Sequence, residues 1–223
     1  MKSLSDLRRT RAGRAALAVI SALPVAAALA LVIYYILGPG EGYFHSDCTD
    51  SIVWANATVE SGKIFDPDFK YAALLPFSAS AWMVPLIRIF GYGMTAHNIA
   101  MIIFAVIFAA SVWFCFRSFG MGRGFCGIAT FAVLMLLSSS DKLREIMWGH
   151  VIYYSIGLCV LFFTLGIAAR LLDGGTSRRR YVMLIVLMAL LSAGAATDGM
   201  QIIAIAILPT AAALIAERIF CGK

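Results

Sequence analysis

Apolar residues run along this chain in long blocks and do not alternate with polar ones. Five blocks are long enough, or nearly so, to form membrane-crossing helices: about 15–37, 97–116, 124–140, 150–170 and 181–197. A sixth runs from about 200 to 217. A helix needs about 20 mostly apolar residues to cross the hydrocarbon core. Thr197-Asp198-Gly199 separates the last two blocks and predicts a tight helical hairpin. The stretch Leu74 to Phe90 is also apolar, but it holds Pro76, Pro85 and Arg88 and ends in Gly91-Tyr92-Gly93. Pattern alone leaves it open between crossing the membrane and lying along its surface.

Composition removes most other classes. Of the 223 residues, 61% are hydrophobic and 13% charged, and the mean hydropathy is +0.89. Soluble domains carry about 25% charged residues. A chain this apolar has too little polar surface for a soluble enzyme, a disordered protein or a nucleic-acid-binding domain, despite its net charge of +6.

Charge placement settles the 74–90 segment, because cytoplasmic loops retain Lys and Arg. If the segment lies in the interface, one side holds the tail (Lys2, Arg8, Arg9, Arg11, Arg14), Arg117, Arg123, Arg170, the Arg178–Arg180 run, Arg218 and Lys223. That is 13 of the 18 basic residues, with only Asp6, Asp173 and Glu217 as acids. The other side has nine acids and five bases. A crossing at 74–90 would put the triple arginine outside. The expected fold is therefore an all-α polytopic bundle of about six spans in one transmembrane domain (1–223), with both termini cytoplasmic in a plasma membrane. The first apolar block is about 23 residues, longer than the 7–15 of a signal peptide's core, and is read as a retained anchor.

The long extracytoplasmic loop, 38–96, is the second clue, since unstructured connections beyond about 12–15 residues are uncommon. Thr49-Asp50-Ser51 predicts a helix cap, with the helix running through Glu60 and ending at Ser61-Gly62. Asp66-Pro67-Asp68 predicts a turn, and 74–90 a second, proline-broken interfacial helix. Asp47-x-x-Asp50 stands at the loop's entrance. A partly desolvated carboxylate gains proton affinity and suits general-base work. The same pair also suits a divalent cation holding a phosphate, or else Asp50 is simply a cap and Asp47 a solvated acid.

All three histidines, His45, His97 and His150, fall at this boundary, with Asn98, Asp141, Lys142, Arg144, Glu145 and Asp198. Lys142 and Arg144 are suited to a phosphate, or to pairing with Asp141 and Glu145. Trp148-Gly149-His150 with Tyr153-Tyr154 reads as an interfacial aromatic belt or as a substrate-facing rim. Of five cysteines only Cys48 lies outside, so no intrachain disulfide is expected there, and no C-x-x-C metal spacing occurs. Asn56-Ala57-Thr58 matches a glycosylation sequon inside the proposed helix.

A basic tail, one span, an acidic loop entrance, two loop helices and further spans resemble the GT-C superfamily of integral membrane glycosyltransferases. The likeness covers about residues 15–172. It rests on His45-Ser46-Asp47-Cys48-Thr49-Asp50, on Trp54-Ala55-Asn56, on Glu60 through Asp68, and on Pro85-Leu86-Ile87-Arg88-Ile89-Phe90-Gly91. The resemblance implies a polyprenyl-phosphate-linked sugar as donor and an acceptor on the extracytoplasmic face. It places the base on Asp47 or Asp50, and the lipid phosphate on later-loop cations such as Lys142 and Arg144. His45, Arg88, His97 and His150 complete the expected substrate-binding set. Membrane lipids and a membrane-protein partner are expected, and no nucleic acid. The chain is shorter than the family's members. That supports an alternative, a non-catalytic scaffold or assembly subunit keeping the front half of the fold. A transporter would want ionisable groups in mid-span, and the spans have almost none.

Overall fold

The computed structural model describes residues 10–63, 66, 68–69, 79–151, 153–173, 177–197 and 200–220. Asp198, the beginning of the 74–90 segment, the basic residues Lys2, Arg8 and Arg9, and Lys223 lie outside the described residues. Every regular element among those described is helical, so the fold is all-α.

The first span, α1 (Arg11–Leu37), is capped by Thr10, whose hydroxyl accepts from the Gly13 N–H at 3.0 Å. A short 3₁₀ turn (Pro39–Tyr43) leads to α2 (Ser46–Ser61), then come α3 (Ala79–Phe90) and α4 (Met94–Ser118). Next follow α5 (Arg123–Leu136) and α6 (Asp141–Arg144), the latter running straight into a π-helical turn, Glu145–His150. The chain continues as α7 (Tyr153–Leu172), α8 (Arg178–Thr197) and α9 (Met200–Ile202). A second π turn (Ile203–Ile207) joins α9 to α10 (Leu208–Phe220).

Four segments are long and apolar enough to cross a membrane: α1, α4, α7 and Met200–Glu217. The chain is thus a helical membrane protein. Two expected spans come out differently. Helix α5 has 14 residues and is long enough to cross only together with Asp141–His150, which it meets in an elbow of 110°, a broken span or a re-entrant loop. Helix α8 has 20 residues but opens on Arg178–Arg180 and is not among those four. Outward-facing Val19, Ile20 and Leu23 on α1 and Val182, Met183 and Val186 on α8 are exposed. Lipid tails suit such surfaces, since the helices satisfy their own backbone.

Small residues set the closest helix approaches, as expected where lipid offers no competing hydrophobic drive. Helix α1 packs mainly on α5, and a Cβ at Gly127 would collide with the Ser21 carbonyl oxygen. Helix α4 packs mainly on α7, and a Cβ at Gly166 would come within 2.6 Å of the Phe114 ring. The core between them is aromatic, with Phe108 5.8 Å from Trp148 and 5.9 Å from Phe162. Trp148 is only 1% exposed and its indole N–H donates to Ser138 Oγ. It is therefore a core residue and part of neither an interfacial belt nor an open rim.

The loop helices differ from expectation at their ends. Helix α2 starts at Ser46, three residues before the expected cap. Its N-cap is His45, whose Nδ1 accepts the Asp47 N–H at 3.3 Å, and Asp50 lies within the helix. Its other end is as expected, with Gly62 left-handed at φ 69°. The Asp66 turn closes too, through Asp68 N–H donating to the Asp66 carboxylate. Helix α3 carries Pro85 without breaking and packs Met83 and Ile87 into the core. Its 12 residues span about 18 Å, too short to cross.

Candidate functional site

Two chain segments, far apart in sequence, meet at the acidic end of the bundle. Capping α2 fixes His45, the first turn of α2 supplies Cys48, and the elbow supplies Lys142, Glu145 and His150. Glu145 Oε1 accepts from Lys142 Nζ at 2.7 Å and from His45 Nε2 at 2.8 Å, and lies 3.2 Å from His150 Nε2. The two imidazole Nε2 atoms are 3.3 Å apart. Because Nδ1 of His45 accepts the cap bond, its proton belongs on Nε2, where it faces Glu145. The backbone around His150 is unusual. A π turn ends on it, and Val151 follows at φ 46°, ψ 52°, a left-handed conformation that β-branched residues avoid. Both features concentrate at functional sites. Ser51 Oγ donates to the His150 carbonyl at 3.4 Å and ties the elbow to α2.

Electrostatics follow from these contacts. The Lys142 ammonium and the His45 imidazole hold the Glu145 carboxyl down to about 2, against an ordinary 4.5. Burial lowers the proton affinity of His150, although Glu145 pulls it the other way. Burial likewise pushes the Cys48 thiol up. Asp50, half-buried, has its carboxyl raised by burial first and by the Asp47 charge second.

The remaining predicted residues are spread around this centre. Asp47 is exposed, and its carboxylate accepts from Ser46 Oγ. Arg88 is exposed at the end of α3. His97 is buried at the start of α4, edge-on to Phe44 at 5.0 Å. Neither of its ring nitrogens has hydrogen-bond geometry to a partner, with Asn98 and the Gly149 and Cys48 backbones nearest. It lines a cavity of about 20 Å³ that also touches Glu41, Asn98 and Glu145, room for one or two waters and nothing larger. Arg144 points the other way. It pairs with Asp141, donates to the Ser138 carbonyl at 2.8 Å and stands 5.4 Å over the Tyr35 ring. There it heads a groove of about 360 Å³ walled by Leu31, Val32, Tyr35 and Met135. Tyr35 lines both spaces. Asp47 and Asp50 line neither.

The sequence alone points to Glu145 as one of the boundary acids and a partner for Lys142 or Arg144, and to Cys48 only as a thiol with no disulfide partner on its side. The four cysteines described are all unbridged. Compared with protein-family models, with curated proteins and with solved structures, the chain matches none.

Proposed function

We propose that the chain works as a GT-C-like glycosyltransferase in the plasma membrane. It would move a sugar from a polyprenyl-phosphate carrier to an acceptor at the extracytoplasmic face. In this reading the acidic end is extracytoplasmic and the arginine-rich end cytoplasmic. Helix α8 completes six crossings with its arginines at the inner boundary, which leaves both termini inside.

One observation carries the reading: the elbow turns two different chemistries to its two sides. Arg144 faces an apolar groove on the membrane side, and its neighbour Glu145 faces the histidine cluster. An isoprenoid tail fits such a groove, and a guanidinium at its mouth suits a phosphate. Of the two aspartates, Asp50 is the better base, because burial raises its proton affinity while Asp47 is solvated. The acceptor hydroxyl gives its proton to the Asp50 carboxylate, its oxygen bonds to the anomeric carbon, and the bond from that carbon to the phosphate oxygen breaks. The lipid phosphate leaves with its charge met by Arg144, so the sugar has to reach from that groove to Asp50, which lines neither cavity.

Photo-crosslinking with a diazirine-bearing polyprenyl phosphate tests the groove. Label should map to Leu31, Val32 or Met135 and drop about tenfold in Arg144→Gln, as loss of a charge-assisted contact of about 1.5 kcal/mol implies. Label elsewhere, or unchanged by the substitution, contradicts the reading. The second reading, a non-catalytic assembly subunit, is favoured by a specific observation, that neither aspartate lines a described cavity.

A further inference from the structure

We propose that His45, Cys48, His150 and Glu145 form a binding site for a transition-metal dication of the zinc class. Nothing in the transfer chemistry above requires it, and the two stand or fall separately.

The donor atoms are already gathered. One ligand atom each from His45, Cys48 and His150 lie within 4.8 Å of one another. Two nitrogens bound to one tetrahedral zinc at 2.0–2.1 Å lie about 3.3 Å apart, and the two Nε2 atoms are 3.3 Å apart. Glu145 Oε1 lies 2.8 and 3.2 Å from those nitrogens, close to the remaining edges of the same polyhedron. Sulfur at about 2.3 Å calls for an edge near 3.6 Å, and the Cys48 sulfur already lies within 4.8 Å of a ring nitrogen of each histidine. Imidazole, thiolate and carboxylate together select zinc-like ions, whereas magnesium and calcium want oxygen alone.

Burial and backbone point the same way. Cys48 is 2% and His150 4% exposed, yet a site this polar has no reason to be enclosed unless its groups are mutually satisfied. They are satisfied only by crowding: Lys142, His45 and His150 all approach one oxygen of Glu145. Lys142, with its side chain 70% exposed, supplies the positive charge that a dication would replace and is free to swing into solvent. The π turn and left-handed Val151 aim His150, and Ser51 holds its carbonyl from α2. Such outer contacts orient metal ligands.

Binding balances simply. The Cys48 thiol proton leaves to solvent and the sulfur bonds to the metal. The His45 proton moves from Nε2 to Nδ1, which frees the ligating lone pair and gives up the 3.3 Å cap bond to Asp47 N–H. Lys142 departs with its proton.

The full chain, purified in detergent without a histidine tag and stripped with chelator, is titrated with Zn²⁺ and Co²⁺. One equivalent of either should bind, and the cobalt form should give tetrahedral d–d bands with a thiolate charge-transfer band. Cys48→Ser should abolish the charge-transfer band. His150→Ala should weaken zinc binding by more than the roughly 10–100-fold that loss of an outer contact costs. Glu60→Gln, an exposed acid at the far end of α2, should change nothing. A wild-type chain giving no tetrahedral cobalt spectrum overturns the proposal, whatever the variants do. So does a spectrum that Cys48→Ser leaves unchanged.

Discussion

The Nε2 atoms of His45 and His150 lie 3.3 Å apart although 105 residues separate them in the chain. Two imidazolium ions do not tolerate that distance beside a buried wall. The cost falls on His150, the buried member of the pair.

For His150 the sign is explicit. Its folded proton affinity is lowered, mainly by burial, so the unfolded chain binds the proton first. Its contribution to stability is complete above pH 6.5 and falls as pH drops below it. Glu145 adds a second loss, beginning below its ordinary 4.5 and running to about 2. Thermal unfolding of the metal-stripped protein should therefore be flat above pH 7, decline below 6.5 and steepen below 4.5. His150→Gln should shrink the first decline and leave the second.

Glu145 should matter more than the lysine that pairs with it. The carboxylate side chain is 12% exposed, accepts from Lys142 and His45 and lies 3.2 Å from His150 Nε2, whereas Lys142 is 70% exposed. Glu145→Gln should destabilise by about 1–3 kcal/mol, the cost of leaving buried partners unsatisfied. Lys142→Met should cost less, as for an exposed ion pair. Chemical denaturation in mixed micelles distinguishes the two.

How much of this was legible beforehand depended on period. Long apolar blocks announce helices at any register, so α1, α4, α7 and the last span fall where the pattern put them, and Gly62 ends α2 as expected. The histidine cluster was not legible as a unit. Glu145 and His150 are five apart, about 140° off each other's face in an α-helix, and only a π turn brings them to one side. Nor did the pattern reveal that a histidine would cap α2, since capping usually falls to Ser, Thr, Asp or Asn. Arg144 and Asp141 were named as a possible internal pair and are one. The position of Trp148 was misread because an aromatic at a span boundary looks alike whether it faces headgroups or core.

Helix packing offers a test that needs no ligand. Gly127→Ala drives a methyl into the Ser21 carbonyl, which is backbone and cannot step aside. The α1–α5 contact should weaken by about 1–3 kcal/mol, the usual cost of overpacking. Gly166→Ala meets chiefly the Phe114 ring, which rotates, and should cost less. Steric trapping or thermal unfolding ranks the pair, and the reverse order contradicts the packing described.

If Asp50 is the base, the pH dependence of transfer carries its signature. Burial, then the Asp47 charge, raise its carboxyl above the ordinary 3.8. The acid limb of the rate profile should therefore sit above pH 3.8. Asp47→Asn should move that limb down without bringing it to the unperturbed position, because burial is the larger cause.

Transfer itself is the decisive measurement. The full chain, reconstituted in liposomes with a polyprenyl phosphate carrying a radiolabelled sugar, should release or transfer label above protein-free liposomes. Asp50→Asn should slow it by about 100-fold or more, in the range of lost general-base catalysis, while Glu60→Gln matches wild type. Wild-type protein no better than empty liposomes, or Asp50→Asn and Asp47→Asn both at full rate, contradicts the account.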